Sequence, residues 1–127
     1  MVATLKYVLI FLGGGAGAAL RYWMQGAVYS RTGADFPYGT LVVNVLGCLV
    51  IGFLMVSLEE RFLAIPSLRL FLTIGILGGF TTFSSFSYET LALVRDGEMV
   101  RALANVGFTV ISCLSATWIG MLVGKLV

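Results

Sequence analysis

The stretch Gly78-Gly79-Phe80-Thr81-Thr82-Phe83-Ser84-Ser85-Phe86 sets paired glycines, four hydroxyls and three phenyl rings inside one apolar segment. None of these groups is a strong acid or base, and the chain has no histidine to activate a nucleophile. Their usable chemistry is that of exposed backbone and of weak, neutral contacts. In hydrocarbon no water satisfies a freed carbonyl, so irregular chain persists there only when packed inside protein or lining a cavity that uses those groups. The phenylalanines recur every three residues, so a helix over 82–86 puts Phe83 and Phe86 on neighbouring faces with Ser84 and Ser85 between them.

The remaining polar candidates are few. Asn44 is the one strongly polar side chain of its apolar run, and it serves either as a hydrogen-bonding partner for a neighbouring helix or as a donor to a polar pathway. Arg21 reads either as a snorkelling interfacial charge or as a positive charge at the mouth of an anion route. Glu89 is either an interfacial carboxylate or a gate sensitive to protons. Asn105, Thr109 and Cys113 follow at four-residue intervals, with Ser112, Ser115 and Thr117 nearby, which lays an amide and hydroxyl stripe along one helix face. Hydroxyls in membrane helices usually bond back to their own backbone, so the stripe alone does not define a pathway. Cys48 and Cys113 both fall in apolar runs and read as small packing residues rather than a disulfide or metal site.

The elements that position these groups are membrane spans. The 127 residues are 59% hydrophobic and 11% charged, with a mean hydropathy of +1.01, values that exclude an ordinary soluble domain. A span needs about 20 apolar residues, which leaves room for four spans and short loops in a single membrane domain, 1–127. The expected helices are 5–27, 38–58, 67–94 with a break at 78–82, and 99–123. Gly13-Gly14-Gly15-Ala16-Gly17-Ala18-Ala19 gives the first span a small-residue face for close packing, and Arg21-Tyr22-Trp23 reads as its interfacial end. The first loop is expected over Tyr29 to Pro37, the second from Glu59-Glu60-Arg61 to Pro66-Ser67 with Ser67 capping the third helix, and the third at Arg95-Asp96-Gly97-Glu98. A net charge of +2 without a basic run argues against a nucleic-acid partner.

With four spans, one side carries Lys6, Arg61, Arg69 and Lys125, and the other Arg21, Arg31, Arg95 and Arg101. Equal counts leave the positive-inside rule nothing to act on, so the chain is expected to insert in both orientations. Two opposite copies then pair as an antiparallel homodimer whose two-fold axis lies in the membrane plane. The expected fold is an all-α membrane protein with four transmembrane helices per subunit, the third broken near its centre, in a dual-topology dimer.

The run from Gly78 to Ser87, the glycine-rich first helix followed by Arg21-Tyr22, and Gly39-Thr40-Leu41 followed by Asn44 and Gly47 together resemble the Fluc (CrcB-type) fluoride channel family over nearly the whole chain. The resemblance implies a passive fluoride exporter of the bacterial inner membrane, with two pores per dimer and no ATP. It implies a structural Na+ at the dimer centre, held by backbone carbonyls of Gly78 and Thr81. It implies Phe83 and Phe86 as pore rings, whose positive edges can meet an anion, and Asn44 as the pore asparagine. Ser84, Ser85 and Glu89 match polar positions beyond the break, and Asn105, Thr109, Cys113 and Thr117 lie where the family has its polar track. The cysteine at 113 and the amide at 105 depart from the pattern, and Ser112 can substitute after a small helix rotation. A proton-coupled exporter of the small multidrug type is the competing class, but it needs a carboxylate within the membrane; the first span has none, and Glu89 is the one candidate. An enzyme lacks material, because there is neither a histidine nor a carboxylate cluster.

Overall fold

The computed structural model describes residues 2–61 and 65–127, with the side chains of 60 and 61 left aside. Among the described residues four helical stretches are long and apolar enough to cross a membrane, and the chain is a multi-pass integral membrane protein. Helix α1 is Val2–Thr32, α2 is Tyr38–Arg61 and α6 is Met99–Leu126. The third crossing is composite. A short α3, Pro66–Arg69, continues into a π-helical stretch, Leu70–Leu77, then α4, Gly78–Phe80, and finally α5, Phe83–Arg95. Between α4 and α5 the backbone is extended, with φ −86° and ψ 156° at Thr81 and φ −151° and ψ 111° at Thr82.

The described elements pack as two close pairs, α1 against the third crossing and α2 against α6. Glycine makes both approaches possible. A Cβ at Gly13 would sit 2.8 Å from the Phe71 carbonyl oxygen, and one at Gly17 would run into the Ile76 carbonyl. Gly79 answers from the other helix, where a methyl group would collide with the Gly14 carbonyl. The small face read in the first span is therefore buried against the segment just before Thr81. In the second pair Gly52 lies under the Thr117 carbonyl and Gly120 under the Leu49 carbonyl. Without a hydrophobic drive between helices in lipid, such backbone approach, with its dense dispersion contacts, is what holds spans together.

Polarity is arranged inside out. Phe11 is 79% and Val100 81% exposed, whereas Thr40, Asn44, Thr82, Asn105 and Thr109 are all buried. An apolar exterior around a polar interior suits a lipid solvent and demands that each interior group find a partner.

Several boundaries differ from the sequence reading. Helix α1 runs on to Thr32 because Ser30 and Thr32 turn their hydroxyls back to the carbonyls of Ala27 and Val28, and it stops only at Gly33, whose φ is +74°. Arg21 thus lies about three turns inside the helix, not at its end. The third crossing is not capped by Ser67. Ile65 is its N-cap and Pro66 takes the first helical position, where its missing N–H costs nothing. Thr82 caps α5 instead of belonging to it. Of the second expected loop, residues 62–64 lie outside the described residues, and α2 continues to Arg61 where the turn was expected to begin at Glu59. The third turn falls where expected, with Gly97 at φ +79°.

Gly17→Ala should lower the thermal midpoint of the detergent-solubilised protein, by an overpacking cost of about 1–3 kcal/mol. Gly26→Ala, where a methyl group meets nothing within 4 Å, should leave the midpoint unchanged or raise it. Equal melting of the two variants would contradict the close α1 contact.

Candidate functional site

The extended pair Thr81-Thr82 is held by one side chain from another helix. Asn44 on α2 donates from Nδ2 to the Thr82 carbonyl at 3.0 Å and accepts the Thr82 N–H on Oδ1 at 2.8 Å. The amide thereby replaces a segment of helical bonding for a residue that has left the helix. Of the two readings open for Asn44, the neighbouring-helix contact is realised, and the second Nδ2 hydrogen remains beyond that clamp. Thr82 in turn caps α5, its Oγ1 accepting the Ser85 N–H at 3.1 Å while lying 3.2 Å from Ser84 Oγ and 3.1 Å from Ser85 Oγ. Ser84 and Ser85 belong to this cap cluster, with Ser84 exposed and Ser85 half-buried.

These bonds leave two carbonyls without their helical donors. A continuous helix would direct the Thr82 N–H to Gly78 and the Ser85 N–H to Thr81, but the first goes to Asn44 and the second to the Thr82 hydroxyl. Thr81 keeps its own N–H on the Leu77 carbonyl at 3.0 Å and adds its hydroxyl to the same oxygen at 2.9 Å. Gly78 is exposed on the surface of the subunit, and Gly78 and Thr81 together border a groove shared with Gly47, Cys48, Thr73 and Leu77.

A larger groove, about 320 Å³, also has Thr81 in its wall. Asn44 and Cys48 of α2, Thr81 and Thr82, Phe83 and Phe86 of α5, and Thr109 and Cys113 of α6 form most of its wall. Phe86 is buried, whereas Phe83 is 77% exposed, and their ring centroids are 5.4 Å apart at 48°. No charged side chain lines this groove among the described residues.

Two regular strips feed it. On α2, Thr40, Asn44 and Cys48 recur every four residues, and on α6 so do Asn105, Thr109, Cys113 and Thr117. Asn105 is buried and donates to Thr90 Oγ1 at 2.9 Å, and Thr109 lies 3.4 Å from its Oδ1. Asn105 is thus tied to α5 and lies off the groove wall. Thr117 bonds back to the Cys113 carbonyl, and Ser112 is rotated away from the groove by the helical step from Cys113, so neither joins the wall.

Glu89 stands apart, in a wider mouth of about 550 Å³ with Tyr29, Asp35, Tyr88, Glu98 and Arg101. Its Oε1 accepts from Thr40 at 2.8 Å, and Thr40 accepts from Gln25 of α1 at 3.1 Å. Oε2 is buried with no partner among the described residues. Gln25 escaped the sequence reading, and Thr40 entered it only within the Gly39-Thr40-Leu41 motif, without its bond to Glu89. The signal available was the four-residue step from Thr40 to Asn44, whereas Gln25, two residues after Trp23, was hidden by its interfacial surroundings. Arg21 is half-buried, makes no ion pair or hydrogen bond among the described residues, and borders neither the groove nor the mouth.

A family model, CrcB-like protein, Camphor Resistance (CrcB), matches residues 8–121. The chain is 48% identical over 122 residues to the fluoride-specific ion channel FluC of Geotalea uraniireducens, covering 96% of this chain and 97% of that protein. It is 50% identical over 121 residues to the FluC of Solibacter usitatus, covering 95% and 99%, and 47% identical to that of Methylocella silvestris, covering 94% and 92%. With a match over almost its full length and polar groups gathered about one non-helical step, the chain belongs to the CrcB family.

Proposed function

We propose that this protein is a fluoride-selective passive channel that exports F− across the bacterial inner membrane. The observation that carries this reading is the groove at Thr81-Thr82, walled by two phenyl rings, an amide, hydroxyls, thiols and the aliphatic Val110 and Leu114, with no fixed cation among the described residues. A small anion entering it exchanges water for ring edges and neutral donors, contacts strong enough to offset part of its dehydration and weak enough to let it leave. The second Nδ2 hydrogen of Asn44 and the first turn of α5, whose N–H groups carry the positive end of the helix dipole, add directed donors without a full charge. Relatives of nearly equal length carry the name fluoride-specific ion channel, which supports fluoride as the permeant ion. Ion channels are not a class of enzyme.

The working unit in this reading is an antiparallel homodimer with two pores. The equal charge count on the two sides supports dual insertion, and the 77% exposure of Phe83 and the open surface at Gly78 leave these groups available to a second copy. The third crossing acts as a broken helix, and its freed carbonyls suit a structural Na+. Gly78 and Thr81 are the residues whose carbonyls lose their helical donors, and neutral oxygens repeated by a two-fold axis are appropriate ligands for a hard cation. The ion would tie the two subunits together, while this chain's Asn44 and Thr82 keep the carbonyls free to bind it. The proton-coupled exporter finds less support, since its exchange chemistry requires a carboxylate in the membrane interior, and Glu89 instead bonds to Thr40 within a polar mouth.

Liposomes containing only the purified protein should release fluoride down its gradient and retain chloride; absence of fluoride flux would sink the reading. Phe83→Ile or Phe86→Ile should cut that flux at least tenfold while chemical cross-linking still captures the dimer, and unaltered conduction would remove the rings from the pathway. Exhaustive replacement of sodium by a large organic cation should abolish flux and weaken the cross-linked dimer, with recovery on adding sodium back. Full activity and an unchanged dimer in sodium-free medium would contradict the Na+ site.

A further inference from the structure

The two polar strips that run side by side on α2 and α6 carry a cysteine at corresponding positions. Gly52 lies under the Thr117 carbonyl, and one turn earlier on each helix stand Cys48 and Cys113. The glycine contacts bring the two backbones together one turn away, and both cysteines stand on the wall of one groove. They are not joined in a disulfide, and both are half-buried. That groove is the one that holds Phe83 and Phe86, and Cys48 borders the smaller groove at Gly78 and Thr81 as well.

We propose that Cys48 and Cys113 form a two-thiol site for a soft monovalent cation of the Cu(I) or Ag(I) type, and that an ion held there closes the groove to anions. Two sulfurs in an apolar setting select soft metals. A tetrahedral zinc site would need further ligands, and no group of three or more histidine, cysteine or acidic residues stands together among the described residues. Ions content with two opposed sulfurs face no such shortage. The hydroxyls nearby, Thr81 and Thr109, are hard and compete poorly. Binding converts M+ and two thiols into a thiolate–metal–thiolate bridge and releases two protons, with no change in oxidation state. The bridge carries one net negative charge. It therefore places both bulk and a repelling charge beside the rings, where the unmetallated pair presents neither. The closing effect rests on the anion-channel reading above, whereas the metal site itself does not.

The test uses purified full-length protein and Ag+ in chloride-free medium. In detergent, wild type should bind one tightly held Ag+ per chain, lose the reactivity of both thiols toward a disulfide reagent and release two protons per ion. Cys48→Ala and Cys113→Ala should each bind at least a hundredfold more weakly. Two independent ions per chain, one protected thiol, or single variants that bind as tightly as wild type would overturn the site. In liposomes, stoichiometric Ag+ should block fluoride efflux through wild type, while Cys48→Ala, compared with its own metal-free rate, should resist it at least a hundredfold. Undiminished wild-type flux with the site demonstrably filled would overturn the closing effect. A protein that binds Ag+ as described but conducts no fluoride even without it would refute the channel reading and leave the thiol site standing.

Discussion

The bidentate grip of Asn44 on Thr82 is the interaction on which the rest depends. A residue that leaves the helix inside a bilayer strands an N–H and a carbonyl where water cannot reach, and each buried polar group left unmet costs about 1–3 kcal/mol. Asn is suited to the task because its amide presents one acceptor and two donors at the spacing of a peptide group. Aspartate would offer no donor, and a hydroxyl would reach only one of the two atoms. The consequence extends along the chain: once Thr82 is paired to α2, its hydroxyl is in position to start α5, and the donors that Gly78 and Thr81 would have had are spent elsewhere. A single amide thus supports the step, the cap and the exposed carbonyls together.

This grip works only because the helices around it are already close. Gly13, Gly17 and Gly79 bring α1 onto the third crossing just before the step, and Gly52 and Gly120 bring α2 onto α6 beyond it. Gly47 adds the local fit, since a methyl group there would collide with Thr81 Cγ2. The same close α2–α6 approach aligns two strips of polar residues, so that Asn44, Thr109 and the two cysteines open on one groove without any loop entering the membrane. Rigid helices can therefore hold weak ligands at fixed positions, which matters because no single contact in the groove is strong enough to organise its neighbours.

What could be read without coordinates follows from the range of each interaction. The Gly13–Gly17 face, the irregular stretch at Thr81-Thr82 and the turn at Gly97 are local patterns of residue type, and each is legible as such. Which helix the Gly13–Gly17 face meets is not, since several spans carry small residues at helical spacing. The pairings Asn44 with Thr82 and Thr40 with Glu89 join residues 38 and 49 positions apart, and no spacing rule connects them. Asn105 and Thr109 were recognisable as one stripe, but their direction was not; Asn105 turns to Thr90 and is tied up there. The early end assigned to the first span had a different cause. Ser30 and Thr32 look like loop residues in a soluble chain, yet in a membrane helix their hydroxyls return to the backbone and let the helix continue.

The polar groups that remain divide into strong and weak, and their placement is not accidental. The one carboxylate of the third crossing, Glu89, stands in a mouth with Asp35, Glu98 and Arg101, and its Oε1 is held through Thr40 by Gln25. Among the described residues the groove is lined by neutral groups alone, and Arg21 borders neither cavity. An arginine in that groove would attract an anion far more strongly than ring edges do, because a full charge in a medium of low polarity is poorly screened. The same strength would hold the ion in place. A route that must strip water from a small anion and then release it is better served by several weak contacts in series than by one deep well. Phenyl rings, a spare amide hydrogen and the start of a helix are contacts of that weaker kind, kept in register by the clamp at Thr82.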